Sequence, residues 1–116
     1  MRRVVLESPF AGRNIWARYL NRVYARNALR DSLMRGESPL ASHLLYTQAL
    51  DDSDDDERRI GIEAGLAWLA HAEASVVYTD RGISLGMRVG IDAAFRLNIP
   101  VEYRSIRGYD PYHQRR

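Results

Sequence analysis

The stretch from Ala74 to Arg104, ASVVYTDRGISLGMRVGIDAAFRLNIPVEYR, decides the fold. Its apolar run at 76–78 predicts a buried strand, and a turn rich in Gly, Asp and Ser follows. A helix from about Ser84 to Leu97 and a strand from Val101 complete the unit. Such a unit is half of a parallel α/β sheet, in which ligands bind at the carboxyl ends of the strands. We therefore expect a binding site at the turn before this helix, where backbone N–H groups and the helix dipole favour an anion.

The composition predicts one domain that needs no disulfides or metals. The chain has 116 residues, of which 46% are hydrophobic, and it has no cysteine. This excludes a disulfide framework, thiolate catalysis and cysteine-based metal sites. No run of about 18 apolar residues occurs, and the opening MRRVVLESPF leads directly into a short strand. We expect a soluble cytosolic protein that has no membrane partner.

Charge is unevenly distributed along the chain. Residues 1–36 carry eight arginines against two acids, whereas 51–57, DDSDDDE, carry six acids and no base. All seventeen basic residues are arginine. Arginine binds phosphate and carboxylate through paired N–H groups, which favours an anionic ligand or nucleic acid. A GC-rich genome that encodes Arg in place of Lys is the alternative, and composition leaves both open.

The N-terminal half predicts a strand, a helix and a second strand. Residues 3–8 form the first strand, and the SPFAG turn leads into a helix that Asn14 caps. The helix runs to about Arg35 and ends at Gly36, a residue typical of a left-handed C-cap. Residues 38–46 predict the second strand, with His43 just past its middle. Together with the segment from Ala74, these elements predict a single doubly wound, flavodoxin- or Rossmann-like α/β domain with about four parallel strands and three main helices.

The first helix has two dissimilar sides. Arginines recur at every fourth position, and we expect this stripe to face solvent, a subunit interface or phosphates: Arg18, Arg22, Arg26 and Arg30. The opposite side predicts the residues that cover the sheet: Trp16, Leu20, Val23, Tyr24 and Met34. Apolar residues next to the stripe predict a second packing surface: Ile15, Tyr19, Leu29 and Leu33.

Two further segments suggest contacts between subunits. The acidic segment lacks the spacing of a calcium loop, so we expect a solvated loop whose acids cap the next helix, and we predict no metal site. That helix, from Asp56 to about His71, is apolar on two sides, which favours a homo-oligomer. We expect the main domain to span 1–104. The polar and basic tail, 105–116, is then a frayed terminus or an arm that reaches a neighbouring subunit.

Two turns at strand ends predict the walls of a pocket. The turn after the first strand contributes Ser8, Pro9, Phe10 and Gly12. The second contributes Asp80, Ser84, Gly86 and Met87, in which the serine hydroxyl and the N–H groups of Gly86 and Met87 would hold an anion. His43 and Asn14 are further candidate pocket residues, and His43 is either a hydrogen-bonded structural residue or a base.

The order of these motifs resembles the nucleoside 2-deoxyribosyltransferase-like superfamily. The resemblance covers Val4 to Arg104 through SPFAG, GESPLASHLLYTQ, ERRIGIEAGLAW and VVYTDRGISLGM. Its most specific piece is an aspartate followed by Ser-x-Gly at a helix start. More narrowly, the chain is similar to small proteins often found in bacteriophage genomes, which implies the cytoplasm of a bacterial or phage-infected host cell.

The resemblance implies cleavage or transfer at the N-glycosidic bond of a nucleoside or nucleotide. It implies that Ser84, Gly86 and Met87 hold the sugar or its phosphate, that Asp80 assists protonation of the base, and that Pro9 and Gly12 form the first loop. In the superfamily a glutamate six residues after the serine is the nucleophile, and this chain has Gly90 there. Asp92 is the nearest carboxylate on that helix, but two residues turn a helix by about 200°. The resemblance then leaves Glu7 or Asp80 as the catalytic carboxyl group.

Three functions remain open at this point. The first is an enzyme of the N-glycosidic bond with Asp80 as acid or base. The second is a module on the same fold that binds a nucleotide-like ligand without turnover. The third is a small inhibitor that acts through protein or nucleic-acid contacts, but nucleic acid is the least favoured partner because aromatic residues do not alternate with the arginine stripe. No cofactor is expected for any of them.

Overall fold

The computed structural model describes residues 1–112, in which helices alternate with short strands. The strands are β1 (Arg2–Glu7), β2 (Glu37–Leu40), β3 (Ala74–Tyr78) and β4 (Val101–Arg104). The helices are α1 (Ile15–Met34), α2 (Ser42–Leu45), α3 (Asp55–Leu69) and α4 (Leu85–Arg96), and a 3₁₀ turn (Tyr46–Gln48) follows α2. The predicted strand–helix–strand unit from Ala74 to Arg104 is therefore confirmed.

All strands pair in parallel, in the order β2-β1-β3-β4. This confirms the predicted doubly wound α/β domain with four strands and three long helices, to which α2 adds one short turn of helix. β2 pairs with one edge of β1, and β3, which comes later in the chain, pairs with the other edge. The switch point between β1 and β3 is where the carboxyl ends of the strands leave a crevice for a ligand.

The sheet separates two cores. Tyr24 and Ala28 of α1 pack on one face with Val4, Leu6 and Val76. On the other face α3 and α4 cover a second group of buried residues, namely Val5, Leu69, Val77, Met87, Ile91, Ala93 and Ala94. Because successive side chains of a strand point to opposite faces, Glu7 lies on the same face as Val5.

The predicted ends of α1 are confirmed, but its buried face is shorter than predicted. The Asn14 side chain accepts a hydrogen bond from the Ala17 N–H (2.8 Å), and Gly36 has a φ of +86°. Val23 and Tyr24 are buried as expected, whereas Trp16 and Met34 are 60% and 67% exposed. These two residues lie about 27 Å apart along the helix, and a strand of six residues spans only about 20 Å. All four arginines of the stripe are exposed.

The second strand is shorter than predicted, which changes the position of His43. β2 ends at Leu40, and α2 begins at Ser42. The segment 41–46, ASHLLY, contains no β-branched residue, and its alanine and two leucines are good helix formers. His43 is therefore a helical residue rather than a strand residue.

The segment 105–109 packs on its own domain. Ile106 and Tyr109 pack against the core under α1, and the Arg35 guanidinium donates to the Ser105 carbonyl (3.0 Å). The Arg107 N–H donates to the Asp31 carboxylate (3.1 Å). In this segment the tail is neither frayed nor extended, because buried contacts and hydrogen bonds hold it. Residues 113–116, the rest of the predicted tail, lie outside the described residues.

Candidate functional site

A cavity of about 460 Å³ lies between the end of β1, α2, α3 and the first half of α4. This volume suits a drug-sized or nucleoside-sized ligand. Seven of the predicted site residues line it: Glu7, Ser8, Phe10, His43, Ser84, Gly86 and Met87. The structure thus brings the two predicted turns together on one cavity, although they are more than 70 positions apart in the chain.

Glu7 places a carboxyl group in this cavity directly over Gly90. A Cβ atom on Gly90 would collide with the Glu7 carboxyl oxygens and would lie 2.7 Å from its Cδ. Within residues 1–112 the Glu7 carboxyl has no hydrogen-bond or ion-pair partner, and burial raises its pKa to about 8. With this pKa Glu7 is mostly a neutral carboxylic acid at pH 7, and it is half-buried on the wall of the cavity.

Ser8 and His43 form a hydrogen-bonded pair on another wall of the cavity. Ser8 Oγ and His43 Nε2 are 2.6 Å apart, and Ser8 is buried. The Phe10 ring meets the imidazole edge to face, with 6.4 Å between the ring centroids. Burial lowers the pKa of His43 to about 4, so its imidazole is neutral at pH 7. A neutral imidazole can accept a proton.

The structure places Asp80 outside this cavity. Its Oδ2 accepts hydrogen bonds from the Tyr24 hydroxyl (2.7 Å) and from the Ile106 N–H (3.0 Å), and the Asp80 N–H donates to the same hydroxyl (2.9 Å). Asp80 is not among the described residues that line the cavity. It fastens the β3–α4 turn to α1 and to the segment after β4, and this geometry does not bring it to a ligand in the cavity.

The turn at Ser84 is first of all a helix cap. Ser84 Oγ accepts a hydrogen bond from the Met87 N–H (3.3 Å), and the Ser84 N–H contacts the Met87 sulfur (3.4 Å). The Met87 N–H is therefore engaged, which corrects the expectation that both the Gly86 and the Met87 amides are free for an anion. Ser84 and Gly86 still line the cavity, so the turn forms one of its walls.

Three other predicted site residues are structural. Pro9 is buried in the turn after β1, and Asn14 caps α1. A Cβ on Gly12 would lie 2.8 Å from the Cβ of Ala17, so glycine permits the chain to pass close to the start of α1. None of the three is among the described residues that line the cavity.

Sequence reasoning missed the wall that α2 and α3 form. Cavity residues from this wall and its rim are Ser42, Tyr46, Thr47, Leu50, Asp52, Glu57, Arg58, Gly61, Ile62, Gly65, Leu66 and Leu69. Gly61 and Gly65 are four positions apart on α3, and a Cβ on Gly65 would lie 2.8 Å from Ser42 Oγ. This spacing of glycines on one helix face was the available signal, because it allows another helix to approach closely.

The described residues include no group of three or more His, Asp or Glu side chains arranged to hold a metal ion. Between residues 1 and 112, none of the helices combines the length and apolar character that a membrane span needs.

The fold and the cavity at the strand ends define an α/β protein with a ligand crevice at its topological switch point. The chain belongs to the family described as "Domain of unknown function (DUF7768)", which matches residues 2–104. Comparison with the curated proteins gave no significant match.

Among solved structures the chain is similar to a 2-deoxyribosyltransferase from Bacillus psychrosaccharolyticus. The identity is 18% and the TM-score is 0.67, over 93% of this chain and 75% of the transferase. At this identity the likeness shows the fold, which confirms the predicted deoxyribosyltransferase-like architecture. Neither comparison supports the narrower similarity to bacteriophage proteins.

Proposed function

We propose that this protein binds a nucleoside or nucleotide in the cavity over Gly90 and that Glu7 acts on its N-glycosidic bond. The observation that carries the proposal is the position of the Glu7 carboxyl group, half-buried on the wall of a cavity of suitable volume without a partner among the described residues. A buried ionisable group without a partner is costly to keep, and such groups cluster at functional sites. The deoxyribosyltransferase-like fold supports the choice of ligand class.

The role that fits Glu7 is proton donation to the leaving base. Cleavage of an N-glycosidic bond is faster when the base leaves as a neutral species, because protonation removes the negative charge that would develop on its nitrogen. Burial keeps Glu7 protonated up to a pH of about 8. This matches a general acid better than a nucleophile, since a nucleophilic carboxyl must be ionised.

Ligand binding without turnover is the second candidate. The observation that favours it is the engagement of Asp80 with Tyr24 and Ile106, which withholds the second carboxylate that the resemblance assigns to the chemistry. On this hypothesis the cavity sequesters or senses a nucleotide-like ligand.

Incubation with a panel of nucleosides, nucleoside monophosphates and NAD tests the first candidate. We expect at least one of them to release free base, and the Glu7→Gln variant to lose about 10²–10⁴-fold in rate. The control is Glu63→Gln, which removes an exposed glutamate of α3 that is not among the cavity residues. Equal rates for Glu7→Gln and the native protein would contradict the assignment.

Thermal denaturation with the same panel tests the second candidate. A ligand at a hundred times its Kd adds about 2.7 kcal/mol to the free energy of unfolding. Stabilisation without release of base would identify a binding module, and neither effect with any compound would reject both candidates.

A homo-oligomer is part of this proposal. Apolar side chains of α3 and α4 are exposed, among them Trp68 (58%), Leu85 (83%) and Phe95 (61%). Burial of such side chains between subunits would remove apolar surface from water. Sedimentation equilibrium measures the mass, and a monomer at micromolar concentration would contradict this part.

A further inference from the structure

We propose that Ser8 and His43 activate a water molecule, so that the bond is cleaved by hydrolysis in a single displacement and not by transfer through a glycosyl-enzyme. This inference rests on the proposed function. It adds the Ser8–His43 pair as general base to the general acid Glu7, and it assigns water as the acceptor of the sugar.

The geometry places the two groups on different walls of one cavity. Glu7 ends β1 and its carboxyl lies over Gly90 of α4, whereas the next residue, Ser8, hydrogen-bonds to His43 of α2. Side chains of consecutive residues in an extended chain diverge. A ligand in the cavity therefore meets a carboxylic acid on one wall and the Ser8–His43 pair on another.

The protonation states suit these roles. At pH 7 Glu7 holds a proton that it can donate, and the His43 imidazole is neutral and can accept one. Burial disfavours the charged form of both groups, so both are neutral before the step begins.

Other titratable groups of the cavity are less suited to activate water. Asp52 is exposed, and Glu57 Oε1 accepts a hydrogen bond from the Asp51 N–H (3.1 Å). Arg58 and Tyr46 also line the cavity, but neither is a base at neutral pH. The Ser8–His43 pair combines a buried hydroxyl with a neutral imidazole at hydrogen-bond distance.

The step balances without a further reactant. The water oxygen bonds to the anomeric carbon while the bond from that carbon to the base nitrogen breaks, and the electrons of the broken bond remain on the nitrogen. Glu7 protonates the base, and the proton of the water passes to His43. Glu7 then leaves the step as a carboxylate and His43 as an imidazolium, and exchange with solvent restores both. The products are free base and free sugar, with inverted configuration at the anomeric carbon.

Replacement of His43, the proposed general base, followed by rescue with azide tests this proposal. We expect His43→Ala to lower the rate of base release about 10²–10³-fold. Sodium azide should restore the release of free base by this variant and yield a glycosyl azide, because azide carries no proton and needs no general base to attack. His71→Ala removes an exposed histidine outside the cavity and should keep the native rate.

The native protein supplies a measurement that does not depend on a variant. Proton NMR of the sugar in the first turnovers should show the inverted anomer. Retained configuration would overturn the proposal, and so would a His43→Ala variant that keeps the native rate or that azide does not rescue. If the native protein releases no base from any compound, the proposed function itself fails, which is a different result from either of these.

Discussion

Glu7 and Glu37 lie on neighbouring strands of the same sheet, Glu7 half-buried and Glu37 buried, and their surroundings are opposite. The Glu37 carboxylate accepts hydrogen bonds from Arg104 (2.7 and 2.9 Å), from Arg2 and from Ser32 (2.8 Å). These contacts, the one with Arg104 foremost, lower its pKa to about 2. Glu7 has no such partner among the described residues, and burial raises its pKa to about 8.

The difference distinguishes a carboxylate that stabilises the fold from a carboxyl group that is available to a ligand. Glu37 belongs to a network in which Arg104 also lies over the Tyr78 ring, 5.6 Å from its centroid, and both Glu37 carboxyl oxygens accept hydrogen bonds from Arg104. Glu7 instead keeps its hydrogen-bonding capacity for whatever enters the cavity. Burial alone does not mark a functional acid, but burial without a partner beside a cavity does.

The largest expected effect concerns the paired carboxylate. Glu37→Gln should lower the free energy of unfolding at pH 7 by about 3–5 kcal/mol, because it leaves the Arg104 charge buried without its main partner. Glu102→Gln is the matched control. It also removes a partner of Arg2 and Arg104, but its side chain is 39% exposed and the expected loss is below about 1 kcal/mol. Urea denaturation measures both, and similar losses would erase the distinction between the two glutamates.

The second prediction concerns Glu7, whose replacement should raise the free energy of unfolding rather than lower it. In the unfolded chain Glu7 ionises near its ordinary pKa of 4.5, but in the folded protein it keeps its proton to about pH 8. As pH rises between these values, ionisation increasingly favours the unfolded state. Gln is neutral throughout this range.

Glu7→Gln should therefore match the native protein in stability at pH 4 and exceed it by about 4 kcal/mol at pH 8. Urea denaturation at a series of pH values provides the curve. A difference that does not change with pH would show that Glu7 ionises normally.

The smallest effect tests the contact between Glu7 and α4. Gly90→Ala should destabilise the protein by about 1–2 kcal/mol, since the new methyl group must displace the Glu7 carboxyl. Gly86→Ala is the control on the same helix, because the nearest atom to its new Cβ is 3.9 Å away. It should be neutral or stabilising by up to about 1 kcal/mol. Equal effects of the two substitutions in thermal denaturation would place the Glu7 side chain elsewhere.

Local patterns were sufficient to predict most of the fold. The buried run of β3 and the Ser84 cap of α4 are signals that lie within a few residues of the elements they define. The segment 41–46 was misassigned because its apolar residues fit either a short strand or a turn of helix, and periodicity does not separate the two at that length.

The candidate site could be predicted only in part, because its decisive contacts join distant residues. Gly90 at the expected position of the nucleophile pointed to Glu7 or Asp80 as a replacement, and only the folded chain shows that the Glu7 carboxyl lies over that glycine. Asp80 and Tyr24 are 56 positions apart, and no local pattern indicates their hydrogen bonds. The side chain of His43 reaches Ser8 from a helix that the sequence did not predict.

The ionisation of Glu7 is the most direct test of the central claim, that this residue is a half-buried neutral acid without a protein partner that is available to a ligand in the cavity. Carbon-13 NMR of protein labelled at the glutamate carboxyl carbons follows each group with pH, and Glu7→Gln assigns the signal. We predict a midpoint of about 8 for Glu7 and of about 2 for Glu37. A Glu7 midpoint near 4.5, the ordinary value, would contradict the claim.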